Sequence, residues 1–132
     1  MVWALDSKRN VYVREGIFPH LQIGTGWVYV AGIEAVHLTV SGTSVWALSV
    51  NGHVYRRHGI TESNYIGDYW KRIPGNLRIV TSSFTDDLWG IDRDGSLTRL
   101  RQKTVFLSVK KSDRVDSEGR SSGEEGDWEV VL

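Results

Sequence analysis

The sequence contains no cysteine, which excludes a disulfide framework and leaves no thiolate ligand for a metal. No apolar run approaches the roughly 18 residues that a membrane-spanning helix needs, so direct membrane insertion is not expected. The first residues also lack the basic stretch and apolar core of a secretory signal. Because small secreted β domains often carry disulfides, these absences together favour a cytoplasmic protein.

Signatures of catalysis are missing as well. The four histidines show no spacing typical of a metal site, and no serine lies in a G-x-S-x-G elbow. The four histidines are His20, His37, His53 and His58. Asp92 and Asp94 superficially suggest a calcium loop, but the distal glutamate of that motif is absent, and Asp94-Gly95 is typical of a hairpin turn. The sequence therefore predicts no enzyme, no cofactor and no metal site.

The net charge is zero, but the charges are unevenly distributed. Residues 113–132 carry seven acids against Arg114 and Arg120, a balance of −5, so the remaining residues carry +5. The acids are Asp113, Asp116, Glu118, Glu124, Glu125, Asp127 and Glu129. No basic cluster is interleaved with a base-stacking surface, so nucleic acid is not an expected partner. The asymmetry predicts a folded body followed by a separate interaction tail.

Three tryptophans recur at a fixed interval of 43 residues: Trp3, Trp46 and Trp89. Their surroundings repeat too, since V-W-A-L occurs around the first two and L-W-G-I around the third. A second pair, Trp27 and Trp70, keeps the same step, but no counterpart follows at that distance in the third unit. An internal period of about 40–50 residues built from short strands indicates the blades of a β-propeller.

Each unit divides into four short strands separated by turn residues. In the second unit these are Val45–Val50, Val54–Arg57, Tyr69–Ile73 and Leu77–Ser82, with Asn51-Gly52 as a hairpin turn and Pro74-Gly75 ending the third strand. The predicted fold is all-β: about two and a half propeller blades of four antiparallel strands over 1–109. A ring needs roughly four to eight blades, so we expect the chain to be the C-terminal piece of a longer protein.

The repeated pattern resembles the tectonin repeat. Its residues read W-A-L-S…G-x-V-Y-x-R-x-G-I-T and then G-x-x-W-x-x-I-P-G in the second unit, while Arg9 and Ala31 depart from the pattern in the first. The family includes secreted lectins, so the resemblance leaves glycan binding open as an alternative function. Packing between blades is the favoured role of Trp3, Trp46 and Trp89. Packing is also favoured for Trp27 and Trp70, but we expect these two to be more exposed.

The tail, residues 110–132, is predicted to be disordered because its long polar stretch has too little apolar surface to offset the entropy of ordering. Its end resembles the motif by which autophagy scaffolds bind GABARAP-family ubiquitin-like modifiers: an aromatic residue, two others, then an aliphatic one, after acids. The matching residues are Glu124, Glu125, Asp127, Trp128, Glu129, Val130 and Val131. The resemblance implies β-augmentation of the modifier's sheet. The alternative is that 127–132 form a last propeller strand, with Trp128 filling a core gap.

Together the two resemblances imply a non-enzymatic scaffold in autophagy, vesicle transport and export from the endoplasmic reticulum. Such a scaffold would be cytoplasmic, at autophagosomal membranes or endoplasmic reticulum exit sites, with vesicle-coat and tethering proteins as further partners of the propeller. Ser121 and Ser122 each precede an acid by three residues, a pattern that acid-directed kinases favour, and phosphate there would add negative charge beside the motif. Solvated linker residues are the alternative interpretation of these serines.

Overall fold

A computed structural model of the chain describes residues 1–100 and 128–131. Ten strands form the fold over these residues, and none of these residues is helical. The strands are β1 (Trp3–Leu5), β2 (Val11–Glu15), β3 (Gly26–Val30), β4 (His37–Val40), β5 (Val45–Leu48), β6 (His53–His58), β7 (Tyr69–Ser82), β8 (Leu88–Asp92), β9 (Leu97–Leu100) and β10 (Trp128–Val130). Within the described part of the chain, no helix could cross a bilayer. The all-β prediction is confirmed.

The strands assemble into three successive antiparallel blades. Blade one is the sheet β1-β2-β3, and the other seven strands form a continuous sheet in the order β10-β9-β8-β7-β6-β5-β4. Strand β7 divides that sheet because its first half pairs with β6 and its second half pairs with β8. Blade two is therefore β4, β5, β6 and the first half of β7, while blade three is the second half of β7, β8, β9 and β10.

The blade boundaries differ from the repeat boundaries in the sequence. The last strand of the first unit, β4, pairs with β5 of the second unit rather than with β3. In the second unit, Pro74-Gly75 does not end a strand as predicted, because β7 continues through it as a bulge at which the register shifts. Gly75 allows this bend because its φ of 124° lies in a region that L side chains rarely adopt. Each repeat thus supplies the first strand of the following blade.

Hairpin turns form where the sequence predicts them. Gly52, between β5 and β6, has a φ of 83°, and Gly95, between β8 and β9, has a φ of 86°. The Asp92 carboxylate accepts backbone N–H bonds from Asp94 and Ser96, each 2.9 Å long, so it orders the turn rather than a metal site. Arg9 replaces the turn glycine in the first repeat and adopts the same left-handed conformation, with a φ of 69°.

The apolar core lies between the blades. The cluster between blades one and two contains Val11, Val13, Val30, Ala35 and Ala47, with Trp3 and Trp70 packed against it. The cluster between blades two and three contains Trp46, Leu48, Val54, Ile73, Leu77, Val80, Leu88 and Leu100, with Trp128 packed against it. Neighbouring blades bury each other's faces, which is the physical reason for the repeat.

The C-terminal tail contains one ordered element. The sequence predicts disorder over 110–132, but Trp128–Val130 form a strand in blade three. The prediction fails at these residues because they contribute an aromatic ring and a valine, and β9 offers them an edge to pair with. Residues 101–127 and Leu132 lie outside the described residues. Residues 105–109, whose alternating pattern predicts one more strand, lie outside them too, as does most of the predicted tail.

Candidate interaction site at the C-terminal strand

Strand β10 completes blade three by pairing antiparallel with β9. Trp128 lies opposite Leu100, Glu129 opposite Arg99, and Val130 opposite Thr98. The backbone N–H of Val131 extends the ladder by donating to the carbonyl of Leu97 over 2.8 Å. All four described residues of the W-x-x-V motif are therefore held against one strand.

The same register occurs in all three blades. Trp27 lies opposite Arg14 in blade one, and Trp70 lies opposite Arg57 in blade two. Leu100 follows Arg57 by the same 43 residues by which Arg57 follows Arg14. Trp128 is thus the structural counterpart of Trp27 and Trp70 and fills the position that the sequence pattern left empty in the third unit.

A slot for the Trp128 side chain is formed by blade two. The indole N–H of Trp128 donates to the carbonyl oxygen of Pro74. Its ring lies against Gly75, where a Cβ atom would be 2.6 Å from Nε1. We call the Pro74 carbonyl, Gly75 and the facing edge of β9 the Trp slot. Trp70 also lies against a glycine one repeat earlier, since a Cβ atom on Gly32 would be 3.2 Å from its Cδ1, but its buried indole N–H has no acceptor.

The family assignment follows from this threefold recurrence. The family model described as "Tectonin domain" matches residues 1–93, which span blades one and two and all of β8. The chain belongs to the tectonin family. Its blades are therefore tectonin blades, and β10 occupies the position of the last strand in the third of them.

A curated relative supports the same assignment. Over 45 residues the chain is 44% identical to the human protein "Tectonin beta-propeller repeat-containing protein 2" from Homo sapiens. The aligned segment is 34% of this chain but only 3% of that protein. The chain thus spans a small part of the length of the relative that it matches.

The two faces of β10 have different surroundings in the tectonin blade. The side chain of Trp128 is half-buried against blade two, whereas Val130 is 67% exposed. Val131 is 44% exposed, while Ile73 at the same position of blade two is buried against blade three. Glu129 lies 3.9 Å from Arg99, and both side chains remain partly exposed, so this ion pair adds little stability. Trp128 is the residue that anchors the strand.

Arginines stack on the tryptophans of the first two blades at this register. Arg14 lies 5.0 Å from the ring of Trp27, and Arg57 lies 5.2 Å from that of Trp70. Arg57 also donates from Nε to the Ile66 carbonyl over 2.8 Å, and its burial lowers the pKa of the guanidinium despite the nearby charge of Asp68. Blade three has Leu100 at this position, so Trp128 packs against apolar surface instead.

The remaining predicted site residues have separate surroundings. Trp46 is buried in the cluster between blades two and three, and Trp3 packs edge-on against Trp70 with ring centres 6.1 Å apart. Trp89 is half-buried beneath Arg99, whose guanidinium carbon lies 5.5 Å from the ring centre. Ser121, Ser122, Glu124, Glu125 and Asp127 lie outside the described residues, so their predicted roles stay predictions.

The described histidines stack on aromatic rings or lie within strands. His58 stacks on Tyr69 with ring centres 4.6 Å apart, and His20 stacks on Phe18 at 5.7 Å. His37 and His53 lie on β4 and β6. Across 1–100 and 128–131, no group of three or more acidic or histidine side chains could hold a metal ion.

Pro74 and Gly75 belong to the site, although their sequence pattern indicates only a turn. A signal for their second role is present in the last strands themselves. W-V-Y-V in β3, W-K-R-I in β7 and W-E-V-V at 128–131 share a tryptophan followed three residues later by a branched aliphatic residue. The W-x-x-V motif is therefore also the pattern of a tectonin strand.

Proposed function

We propose that the chain is a non-enzymatic scaffold that binds GABARAP-family ubiquitin-like modifiers through its C-terminal W-x-x-V segment. In this proposal Trp128 and Val131 are the two anchors, and Glu124, Glu125 and Asp127 supply the acidic lead. The scaffold acts in the cytoplasm, in autophagy and in transport from the endoplasmic reticulum. Vesicle-coat and tethering proteins are further proposed partners of the propeller surface.

The position of the motif at the edge of a sheet supports this proposal. Among the described residues, β10 pairs with β9 on one side and with no strand on the other. An edge strand presents unpaired backbone N–H and C=O groups, which is the chemistry that β-augmentation uses. Val130 is 67% exposed and Val131 is 44% exposed, so a partner can make its first contact with the strand there.

Titration of the chain with a purified GABARAP-family modifier tests the proposal. Trp128→Ala should weaken binding roughly thirtyfold or more, because truncating a buried aromatic anchor at an interface costs about 2 kcal/mol or more. Val131→Ala should weaken it less. Trp27→Ala is the matched control, since Trp27 has the same register in blade one. The affinity of this variant for the modifier should equal that of the unchanged protein. Undiminished binding by Trp128→Ala would rule out the motif.

Glycan binding is the second candidate function, and the exposure of Trp27 favours it. Its side chain is 48% exposed and borders a cleft of about 230 Å³ that Tyr12 and Asp6 also line. Hydrogen bonds, chiefly from Asn10, hold the pKa of Asp6 below its usual value, so a carboxylate lies beside an open aromatic face. Sugars bind through such pairs of stacking and hydrogen-bonding groups.

A glycan array separates the two candidates. Binding that is lost in Trp27→Ala and kept in Trp128→Ala would favour the lectin. Modifier binding with the opposite pattern would favour the scaffold. Because the two tryptophans share a register but lie in different blades, each variant controls for the other.

A further inference from the structure

We infer that the W-x-x-V segment has two mutually exclusive partners, the Trp slot of its own propeller and the modifier, so that blade three withholds the motif until β10 is released. This inference rests on the proposed function. It adds a regulatory contact within the chain, which no feature of the motif by itself implies. The structural basis is that the Trp128 ring is the anchor both in the Trp slot and in the proposed modifier pocket.

Occupation of the Trp slot leaves the aromatic anchor unavailable. The ring of Trp128 packs against the cluster between blades two and three, and its N–H is bonded to the Pro74 carbonyl. A modifier pocket would have to enclose the same ring. Since one indole cannot fill both sites, strand β10 must leave the slot before the motif binds by its aromatic anchor.

Side-chain direction makes the docked strand a poor ligand as well. Successive residues of a strand point to opposite faces, so Trp128 and Val131 lie on different sides of β10. In blade two the equivalent residues show this directly, because Trp70 packs towards blade one and Ile73 packs towards blade three. A partner that takes both anchors on one surface needs a twist that pairing with β9 prevents.

Strand β10 is held loosely enough for a partner to displace it. Its ladder with β9 has three paired positions, whereas β6 and the first half of β7 share six. The Arg99–Glu129 pair is partly exposed and contributes little. Short, exposed strands belong to the parts of a protein that open at low free-energy cost. If the segment is docked about 90% of the time, its apparent affinity for the modifier falls about tenfold.

Gly75→Ala is the first test in the full chain. The new Cβ atom would be 2.6 Å from Trp128 Nε1, so the indole is displaced and modifier binding should become about tenfold tighter or more. Gly32→Ala is the matched control. It introduces similar backbone strain, at a φ of 117° rather than 124°, but approaches Trp70 instead of Trp128, so the affinity should not change. Equal affinities for Gly75→Ala and the unchanged chain would overturn the inference.

A reversible cross-link provides a second test that does not depend on the strained turn. The chain has no cysteine, so a double variant, Arg99→Cys with Glu129→Cys, places its only two thiols directly opposite each other on β9 and β10. Facing residues of antiparallel strands lie within disulfide range. Oxidation should abolish the modifier binding that the same variant shows when reduced, and any effect of losing the Glu129 carboxylate is common to both forms. Undiminished binding by the oxidised form would show that β10 need not leave β9.

The matched cross-link lies one repeat earlier. Arg56→Cys with Lys71→Cys joins the equivalent facing positions of blade two, and its modifier affinity should be the same oxidised and reduced. Trp128→Ala added to the reduced Arg99→Cys, Glu129→Cys variant then separates the two hypotheses. If it still binds, the proposed function fails. If the triple variant does not bind, but oxidation of the double variant leaves its modifier affinity unchanged, only the competition fails.

Discussion

Thr39 and Ser82 occupy the same position in consecutive repeats, and their hydroxyl oxygens lie 2.7 Å apart in a hydrogen bond. The Thr39 hydroxyl oxygen also accepts the backbone N–H of Ser82 over 2.8 Å. These bonds join β4, the first strand of blade two, to β7, which begins blade three. Polar side chains therefore supplement the apolar clusters in fixing the spacing of these two blades.

Thr39→Val should destabilise the protein by about 1–2 kcal/mol, because the valine keeps the shape but leaves the Ser82 N–H without this acceptor. Urea denaturation at neutral pH measures the change. Thr81→Val, at an exposed position on the same strand as Ser82, is the control and should have an effect within about 0.5 kcal/mol. Similar losses in both variants would contradict a role for the Thr39–Ser82 contact.

The Asp86 carboxyl should make the free energy of unfolding depend on pH. Burial raises the pKa of its carboxyl, but hydrogen bonds from Ser41 and Thr43 outweigh that effect and lower the pKa overall. A depressed pKa stabilises the fold above the unfolded value, about 3.9, and the contribution disappears as the pH falls through the folded value. Asp86→Asn should therefore be less stable than the parent at pH 7, with the difference shrinking towards pH 3. A constant difference between pH 7 and 3 in urea denaturation would refute this.

The turn at Arg9 offers a stabilising substitution. Arg9 has a φ of 69°, a conformation that costs an L residue about 1 kcal/mol or more and costs glycine little. Arg9→Gly should raise the free energy of unfolding by roughly 0.5–1 kcal/mol. The reverse change at the equivalent position, Gly52→Ala, should lower it, because the Cβ would be 2.5 Å from Asn76 Oδ1 and 2.9 Å from the Leu77 carbonyl oxygen. Thermal unfolding of both variants checks the opposite signs.

Trp128→Ala should destabilise blade three as well as remove the proposed binding anchor. Truncation of a half-buried tryptophan should cost about 2 kcal/mol, less than the roughly 3–5 kcal/mol typical of fully buried aromatic residues. Hydrogen exchange should then speed up at the N–H of Val131, which bonds to Leu97. Trp27→Ala removes a more exposed ring of the same register and should leave exchange at Val131 unchanged. Unaltered exchange at Val131 in Trp128→Ala would show that the indole does not hold the strand.

Phosphorylation of Ser121 and Ser122 should strengthen modifier binding. Each phosphate adds about −1.5 to −2 charge near the motif, and screening over about 8 Å at physiological ionic strength should reduce the gain as salt is added. The phosphorylated chain is compared with its unmodified form at low and high salt. A Ser121→Ala, Ser122→Ala double variant treated with the same kinase is the control. Equal affinities at low salt would leave these serines as linker residues.

The repeat made the architecture predictable, but the assignment of strands to blades was less so. The interval between Trp3, Trp46 and Trp89 reflects three equivalent strands, and the turns at Gly52 and Gly95 follow from local backbone preferences. Sequence cannot reveal which blade a strand joins, because that depends on contacts between distant residues. Strand β4 illustrates this, since it follows β3 along the chain but pairs with β5.

The third blade was harder to predict because its last strand breaks the period. Trp128 follows Trp70 by 58 residues instead of 43, and polar residues separate it from β9. A tail of that composition predicts disorder, whereas the strand gains its order from β9 and Gly75, which lie far away in sequence. The shared W-x-x-aliphatic pattern was the available signal. It was hidden because the same four residues also match a peptide-binding motif.

The two junctions between neighbouring blades differ in their mechanics. From blade one to blade two, the chain crosses through residues 31–36, which contain no strand, whereas β7 carries it from blade two to blade three in unbroken β-structure. Backbone hydrogen bonds from Ala35 to Arg9 and from Val36 to Leu48 hold the end of the first crossing, whereas β7 pairs with a neighbouring strand along both of its halves. Blades two and three should therefore move as one rigid unit, and a displacement of the chain around Gly75 should shift both blades.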